Sequence, residues 1–191
     1  MPDPQARLPL RFVRHGATEP NTAGLRCGGD LDVPLTNLGR RQAAQAGARI
    51  AVLQPPVGLI VTSDLQRTRE TATIIARFLP EVPVIVEAGF AERLLGQWNL
   101  RPIAQTQPWL EARMTPPGGE SDDEFIDRVA RAVRRIKTQL HRRPLLVGSK
   151  GVARVMGELI GVPHRLELEN GVVTEFDFAE RPCLQTTWSA L

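Results

Sequence analysis

Apolar residues along this chain fall into short continuous runs, separated by longer stretches in which apolar and polar residues alternate at helical spacing. Residues 10–13, Leu-Arg-Phe-Val, read as a buried strand ending at Arg14. A loop rich in Gly, Asp and Pro follows over residues 16–35. Thr36 is placed to cap a helix running to about Leu53, with Leu38, Ala43, Ala46 and Ile50 near helical spacing and Pro55-Pro56 as its stop. Residues 57–62 predict a second buried strand. Ser63 or Asp64 would cap a helix through Phe78, ended by Pro80, and residues 82–86 predict a third strand. Residues 89–119 are irregular, with a helical portion near 103–113. Ser121 and Glu124 form a capping box ahead of an amphipathic helix to about His141. Residues 144–148 predict a fourth strand and 151–160 a helix stopped by Gly161 and Pro163; 172–178 and 185–188 look like closing strands. Strands alternating with helices imply an α/β fold of three layers, a mainly parallel sheet flanked by helices on both faces. Such sheets bind ligands at the carboxyl ends of their strands, which is where chemistry should be sought.

Composition narrows the picture. The 191 residues suit one domain spanning 1–191, with 1–8 read as a flexible N-terminal extension. No apolar run approaches the roughly 20 residues of a membrane helix, and the N-terminus lacks a signal peptide's apolar centre. Cys27 and Cys183 form neither a close-spaced metal motif nor a disulfide framework, so the reading is a reduced, cytoplasmic protein. The net charge is +3, and all but Lys137 and Lys150 of the 24 basic residues are arginine. Arginine offers a planar, permanently charged fork that grips phosphate or carboxylate in two places. The densest cluster, Arg128, Arg131, Arg134, Arg135, Arg142 and Arg143, reads as the solvated face of a helix, and no nucleic-acid partner is expected.

The first strand ends in Arg14-His15-Gly16. A neutral imidazole is a good nucleophile toward phosphorus, an adjacent arginine can hold phosphoryl oxygens, and glycine lets backbone approach an oxyanion. The motif does not stand alone. Residues 10–16, the Gly28-Gly29 and 32–36 segment with Gly39, the run Ser63-Asp64-Leu65-Gln66-Arg67-Thr68-Arg69-Glu70-Thr71-Ala72, Glu92 with Gly96 and Trp98, and the Pro116-Pro117-Gly118-Gly119-Glu120-Ser121 turn occur in one order. Together they resemble the histidine phosphatase superfamily, the phosphoglycerate mutase-like proteins that carry the RHG motif, over residues 10 to about 178. The length and the turn are most similar to small phosphatases of the α-ribazole phosphatase type.

The resemblance implies a metal-independent phosphatase acting on a small phosphomonoester. His15 would become phosphohistidine. Arg14 and Arg67 would clamp the equatorial oxygens, Asn21 and the Gly28 and Gly29 amides would add hydrogen bonds, and Glu92 would serve as acid and base. Simpler readings stand beside these. Arg67 can pair with Glu70 along a helix, Glu92 can be a solvated loop residue, and Asp30 and Asp32 can be turn formers. Cys27 reads as a small filler, His141 and His164 as exposed, and Trp98 and Trp109 as a pocket roof or a stacking surface. One position departs from the family pattern: Ser149 aligns with its second histidine, which donates a hydrogen bond or positive charge to the phosphoryl group. Serine brings no charge. Neighbouring Lys150 would substitute only by turning inward, and a solvent-facing Lys150 is the expectation. Ser149 therefore implies impaired or specialised turnover. The alternatives are a non-catalytic relative that binds a phosphorylated ligand, and a phosphomutase, which a chain this short has little room for.

Overall fold

The computed structural model describes residues 10–161 and 168–176. Five strands form one sheet: β1 (Leu10–Arg14), β2 (Leu59–Thr62), β3 (Val84–Val86), β4 (Pro144–Gly148) and β5 (Val173–Phe176). Their order is β3-β2-β4-β1-β5. The first four run parallel, and β5 pairs antiparallel with β1. The helices are α1 (Glu19–Thr22), α2 (Asn37–Ile50), α3 (Gln66–Ala76), α4 (Ile103–Glu111), α5 (Asp122–Lys137) and α6 (Lys150–Leu159).

The sheet separates two apolar clusters because successive side chains on a strand face opposite ways. Leu10, Phe12, Leu59, Val61 and Leu146 meet α5 and α6 through Phe125, Val129, Val133, Val152 and Met156. Val13, Ile60, Leu145 and Val147 face α2 and α3, contributing to a cluster with Ala46, Ile50, Ala72 and Ile75. Both faces are therefore covered, as a parallel sheet requires.

Several boundaries differ from the sequence reading. The segment 16–35, expected to be a loop throughout, contains the single turn α1. The expected caps Ser63 and Asp64 give way to Leu65 at the start of α3, since the Ser63 hydroxyl is engaged with that of Thr68 at 2.7 Å. The helix expected to reach His141 ends at Lys137, and residues 140–142 form a separate 3-10 turn. Leu38, read on the apolar face of α2, is 44% exposed. The Ser121–Glu124 capping box is formed as read, with both backbone N–H groups satisfied. The N-terminal extension, Cys183, His164, the strand over 185–188 and the end of the one over 172–178 lie outside the described residues.

The exit of β1 lies against the start of α2 with no space for a side chain. A Cβ on Gly16 would stand 2.2 Å from the Gly39 carbonyl oxygen, and one on Gly39 would stand 2.2 Å from that of Ala17. This approach seats the residues after His15 on α2. Alanine ordinarily stabilises a helix relative to glycine by about 1 kcal/mol. At Gly39 the sign should reverse, and Gly39→Ala is expected to cost about 1–3 kcal/mol through overpacking. Urea unfolding measures this; an unchanged or raised midpoint would show that the approach is not a constraint.

Candidate active site

β1 and β4 run side by side, with Arg14 opposite Gly148. The His15 N–H continues the ladder, donating to the Gly148 carbonyl at 2.9 Å. His15 and Ser149 therefore leave adjacent strand ends together. The Gly16 N–H donates to the Thr71 hydroxyl at 3.1 Å, and that hydroxyl donates to the Arg67 carbonyl at 2.8 Å, which brings α3 against the exit of β1. The Arg67 guanidinium donates to the carbonyls of Leu31 and Gly28 at 3.0 and 3.1 Å. The Gly29 N–H reaches the Arg93 carbonyl at 2.8 Å. Next in the chain, Glu92 accepts from the Gly151 N–H at 2.9 Å, two residues beyond Ser149. The contacts close on themselves: His15, Ser149, Glu92 and Arg67 ring one space at the carboxyl ends of the strands.

Arg14, half-buried, and Arg67, buried, bring two positive charges to this ring. Among the described residues both hydrogen-bond only to backbone carbonyls, Arg14 to Leu168 at 2.7 Å. Arg67 does not pair with Glu70, whose carboxylate reaches Arg40 instead. Burial lowers the Arg14 pKa, with nearby Glu92 opposing and Arg67 adding to the shift. A guanidinium nonetheless stays charged in a protein. The His15 Nδ1 lies 2.8 Å from the Gly16 carbonyl oxygen. A carbonyl only accepts, so Nδ1 carries the proton and Nε2 keeps its lone pair. Burial pushes His15 well below the ordinary histidine range; Arg67 pushes the same way, the Gly16 bond opposes, and Arg14 adds to the depression.

Among the described residues, four polar side-chain atoms in or beside this ring are buried without a hydrogen-bond partner: Arg14 Nε, Arg67 Nε, the Ser149 hydroxyl and the Thr18 hydroxyl three residues after His15. Each is a hydrogen-bond donor or can be one. Glu92 is not a solvated loop residue, since its carboxylate also accepts from the Arg93 N–H at 2.8 Å. Lys150 is exposed.

Two expectations are corrected. The Gly28 and Gly29 amides are not free to meet a ligand: Gly28 donates to the Asn99 side chain at 2.7 Å and Gly29 to Arg93. Their role here is close approach, because a Cβ on Gly29 would lie 2.2 Å from the Glu92 carbonyl oxygen. Asn21, on α1, uses its side-chain oxygen to accept from the Thr18 N–H at 3.2 Å. Asp30 and Asp32, read as turn formers, tie their loop to distant segments instead: Asp30 accepts from the Leu95 and Gly96 N–H groups and Asp32 from the Gln66 N–H. Burial raises the Cys27 thiol pKa; Arg67 opposes this while Glu92, Asp30 and Asp32 reinforce it, so nothing activates the sulfur. Trp98 and Trp109 pack on each other with ring centroids 5.1 Å apart. His141 is exposed.

Sequence reasoning missed Thr18, Asn170 and Arg128. Asn170 donates to the His15 carbonyl at 2.6 Å and the Gly171 N–H to that of Arg14 at 3.0 Å, so the turn before β5 grips the catalytic-motif backbone. Thr18 could have been found from its place just past the strand end; Asn170 and Arg128 act through backbone carbonyls and leave no local signal.

The histidine phosphatase superfamily (branch 1) model matches residues 10–190. The chain belongs to the histidine phosphatase superfamily. A relative named "Probable phosphoglycerate mutase GpmB" from Proteus mirabilis (strain HI4320) is 35% identical over 95% of this chain and 90% of its own length. Among solved structures, a mycobacterial glucosyl-3-phosphoglycerate phosphatase in complex with VO3 has a TM-score of 0.75 at 28% identity, covering 89% of this chain and 90% of that one. The α-ribazole phosphatase from Shigella flexneri shares the fold at TM-score 0.75 and 24% identity, over 90% and 91% of the two chains. These relatives support a phosphoric monoester hydrolase. Because the mutase-named relative is matched over most of its length, the argument that this chain is too short for a mutase fails. Among the described residues, no helix is long and apolar enough to cross a membrane.

The depressed His15 pKa has a stability consequence. The unfolded histidine takes up a proton near pH 6.5 while the folded one stays neutral, so stability is lost as pH falls below about 6.5. Relative to His15→Gln, the wild type should lose up to about 1.4 kcal/mol per pH unit between about pH 6.5 and the folded pKa. Urea unfolding in phosphate-free buffer reads the difference; parallel pH profiles would mean His15 is not held neutral.

Proposed function

We propose that this chain hydrolyses a small phosphomonoester through a phosphohistidine at His15, with Glu92 as acid and base and no metal. The observation that carries the reading is the set of unpartnered buried groups on Arg14, Arg67, Thr18 and Ser149 around a neutral His15. An unsatisfied buried donor costs about 1–3 kcal/mol, and a phosphoryl group supplies acceptors and negative charge together.

In this reading His15 Nε2 attacks phosphorus, forming the P–N bond as the ester P–O bond breaks. Protonated Glu92 gives its proton to the departing alkoxide. Water then attacks the phosphohistidine, its proton goes to the Glu92 carboxylate, the P–N bond breaks and phosphate leaves. Arg14 and Arg67 spread positive charge over the equatorial oxygens, where transition-state charge resides. Asn21 would contribute through its side-chain N–H group, whereas the Gly28 and Gly29 amides are excluded as donors by their existing partners.

Ser149 sets the rate. Its hydroxyl is buried beside His15 and offers one neutral donor where the resemblance places a histidine. Loss of a well-placed donor to a transition state costs roughly 10²–10³-fold. The expected outcome is slow turnover of a generic aryl phosphate, raised by Ser149→His and abolished by His15→Ala. Fast wild-type turnover would refute the assigned role of Ser149. Inert wild-type and Ser149→His proteins that still bind inorganic phosphate, with binding lost in the Arg14→Ala, Arg67→Ala double variant, would favour the alternative of a phospho-ligand-binding relative. The substrate lies in the class of small phosphorylated metabolites, for which the phosphatase named above for a glucosylated phosphoglycerate is a guide.

A further inference from the structure

Arg128 stands on α5, in the cluster whose sequence reads as a solvated helix face, yet its guanidinium is half-buried and turned to the backbone of the loop that carries Glu92. Its Nη1 donates to the carbonyls of Gly89 and Ala91 at 3.2 and 3.0 Å, and its Nη2 to that of Glu92 at 3.3 Å. The same group donates from Nη2 and Nε to the two oxygens of Glu120. Glu120 completes the grip from the other side, accepting from the Leu94 N–H at 2.9 Å. The guanidinium also lies over the Phe125 ring, 5.2 Å from its centroid. One fork and its carboxylate thus hold a six-residue stretch at both backbone polarities.

We infer that Arg128 is a positioning residue for Glu92. The inference rests on the reading of Glu92 as acid and base. The loop has no regular secondary structure between the 3-10 turns over 88–90 and 96–98, so its own ladder does not fix the Glu92 Cα. The carboxylate must nonetheless sit at the Gly151 amide, where a Cβ on residue 151 would be 2.1 Å away. That narrow seat tolerates little displacement of the loop. Lysine keeps the charge opposite Glu120, but a single ammonium cannot reach three carbonyls and a bidentate carboxylate together.

The test compares wild type, Arg128→Lys, Glu120→Gln and Glu92→Gln on phenyl phosphate, whose leaving group needs a proton, and dinitrophenyl phosphate, whose leaving group does not. In Arg128→Lys, kcat/KM for phenyl phosphate should fall about 10–100-fold, as expected for a misplaced acid, and that for dinitrophenyl phosphate by less than about threefold. Glu120→Gln should fall in the same sense, and inorganic phosphate should bind wild type, Arg128→Lys and Glu120→Gln alike. Hydrogen exchange gives a readout independent of turnover. The Arg93 and Gly151 amides, which hold the Glu92 carboxylate, should exchange about tenfold faster in Arg128→Lys, with the β1 amides unchanged. If Glu92→Gln shows the leaving-group effect and Arg128→Lys does not, the positioning role is overturned while the acid role stands. If Glu92→Gln shows none, the acid role itself has failed, and the exchange result then decides alone whether Arg128 holds the loop. Unchanged exchange at Arg93 and Gly151 overturns the inference in every case.

Discussion

The parallel pairing of β1 with β4 at the centre of the sheet is the constraint on which the rest of the site depends. It sets Arg14 opposite Gly148 and carries one further hydrogen bond to the His15 amide, so His15 and Ser149 emerge as neighbours without any contact between their side chains being needed. Every other member is brought to that point by backbone. Gly16 reaches Thr71 and so seats α3 with Arg67; the first turn of α6 receives the Glu92 carboxylate; the turn at Leu168–Gly171 takes hold of Arg14 and His15. Loops positioned by a rigid sheet are where such chemistry is ordinarily built.

Electrostatics follow from this placement. The half-buried Arg14 and the buried Arg67 have, among the described residues, carbonyls rather than carboxylates as direct partners, and Glu92 is the acidic group that opposes the shift of Arg14. Burial is the first cause that keeps His15 neutral, and the positive charges of Arg67 and Arg14, which would also attract a phosphoryl dianion, push the same way. In the proposed reading Ser149 is the one departure: Arg14, Arg67, His15 and Glu92 take the roles that the resemblance implies, and Ser149 offers a hydroxyl that has no partner among the described residues.

What was legible in the sequence divides along physical lines. The strands β1, β2 and β4 were readable because they are buried on both faces and appear as continuous apolar runs, and the α5 start was readable because its capping box is local. Arg14, His15, Arg67, Glu92 and Ser149 are each singled out by the sequence, and the structure sets them near the same strand ends, their roles resting on the proposed function. Gly28 and Gly29 were found for the wrong reason, since glycine marks close approach without saying whether a ligand or another loop comes near; here it is the Glu92–Leu95 stretch. Arg128 and Asn170 were not legible at all. Both act on carbonyls distant in the chain, and a carbonyl has no side-chain identity to betray its partner.

The central claim is that a neutral His15 forms the covalent bond to phosphorus. Mass spectrometry of protein quenched rapidly after mixing with an aryl phosphate, under alkaline conditions that preserve phosphohistidine, tests it directly. The account predicts a phosphoryl group on His15 in the wild type, accumulating further in Glu92→Gln with dinitrophenyl phosphate, whose leaving group needs no proton, as water loses its base, and none in His15→Ala. A phosphoryl group on another residue, or turnover that persists in His15→Ala, would contradict it.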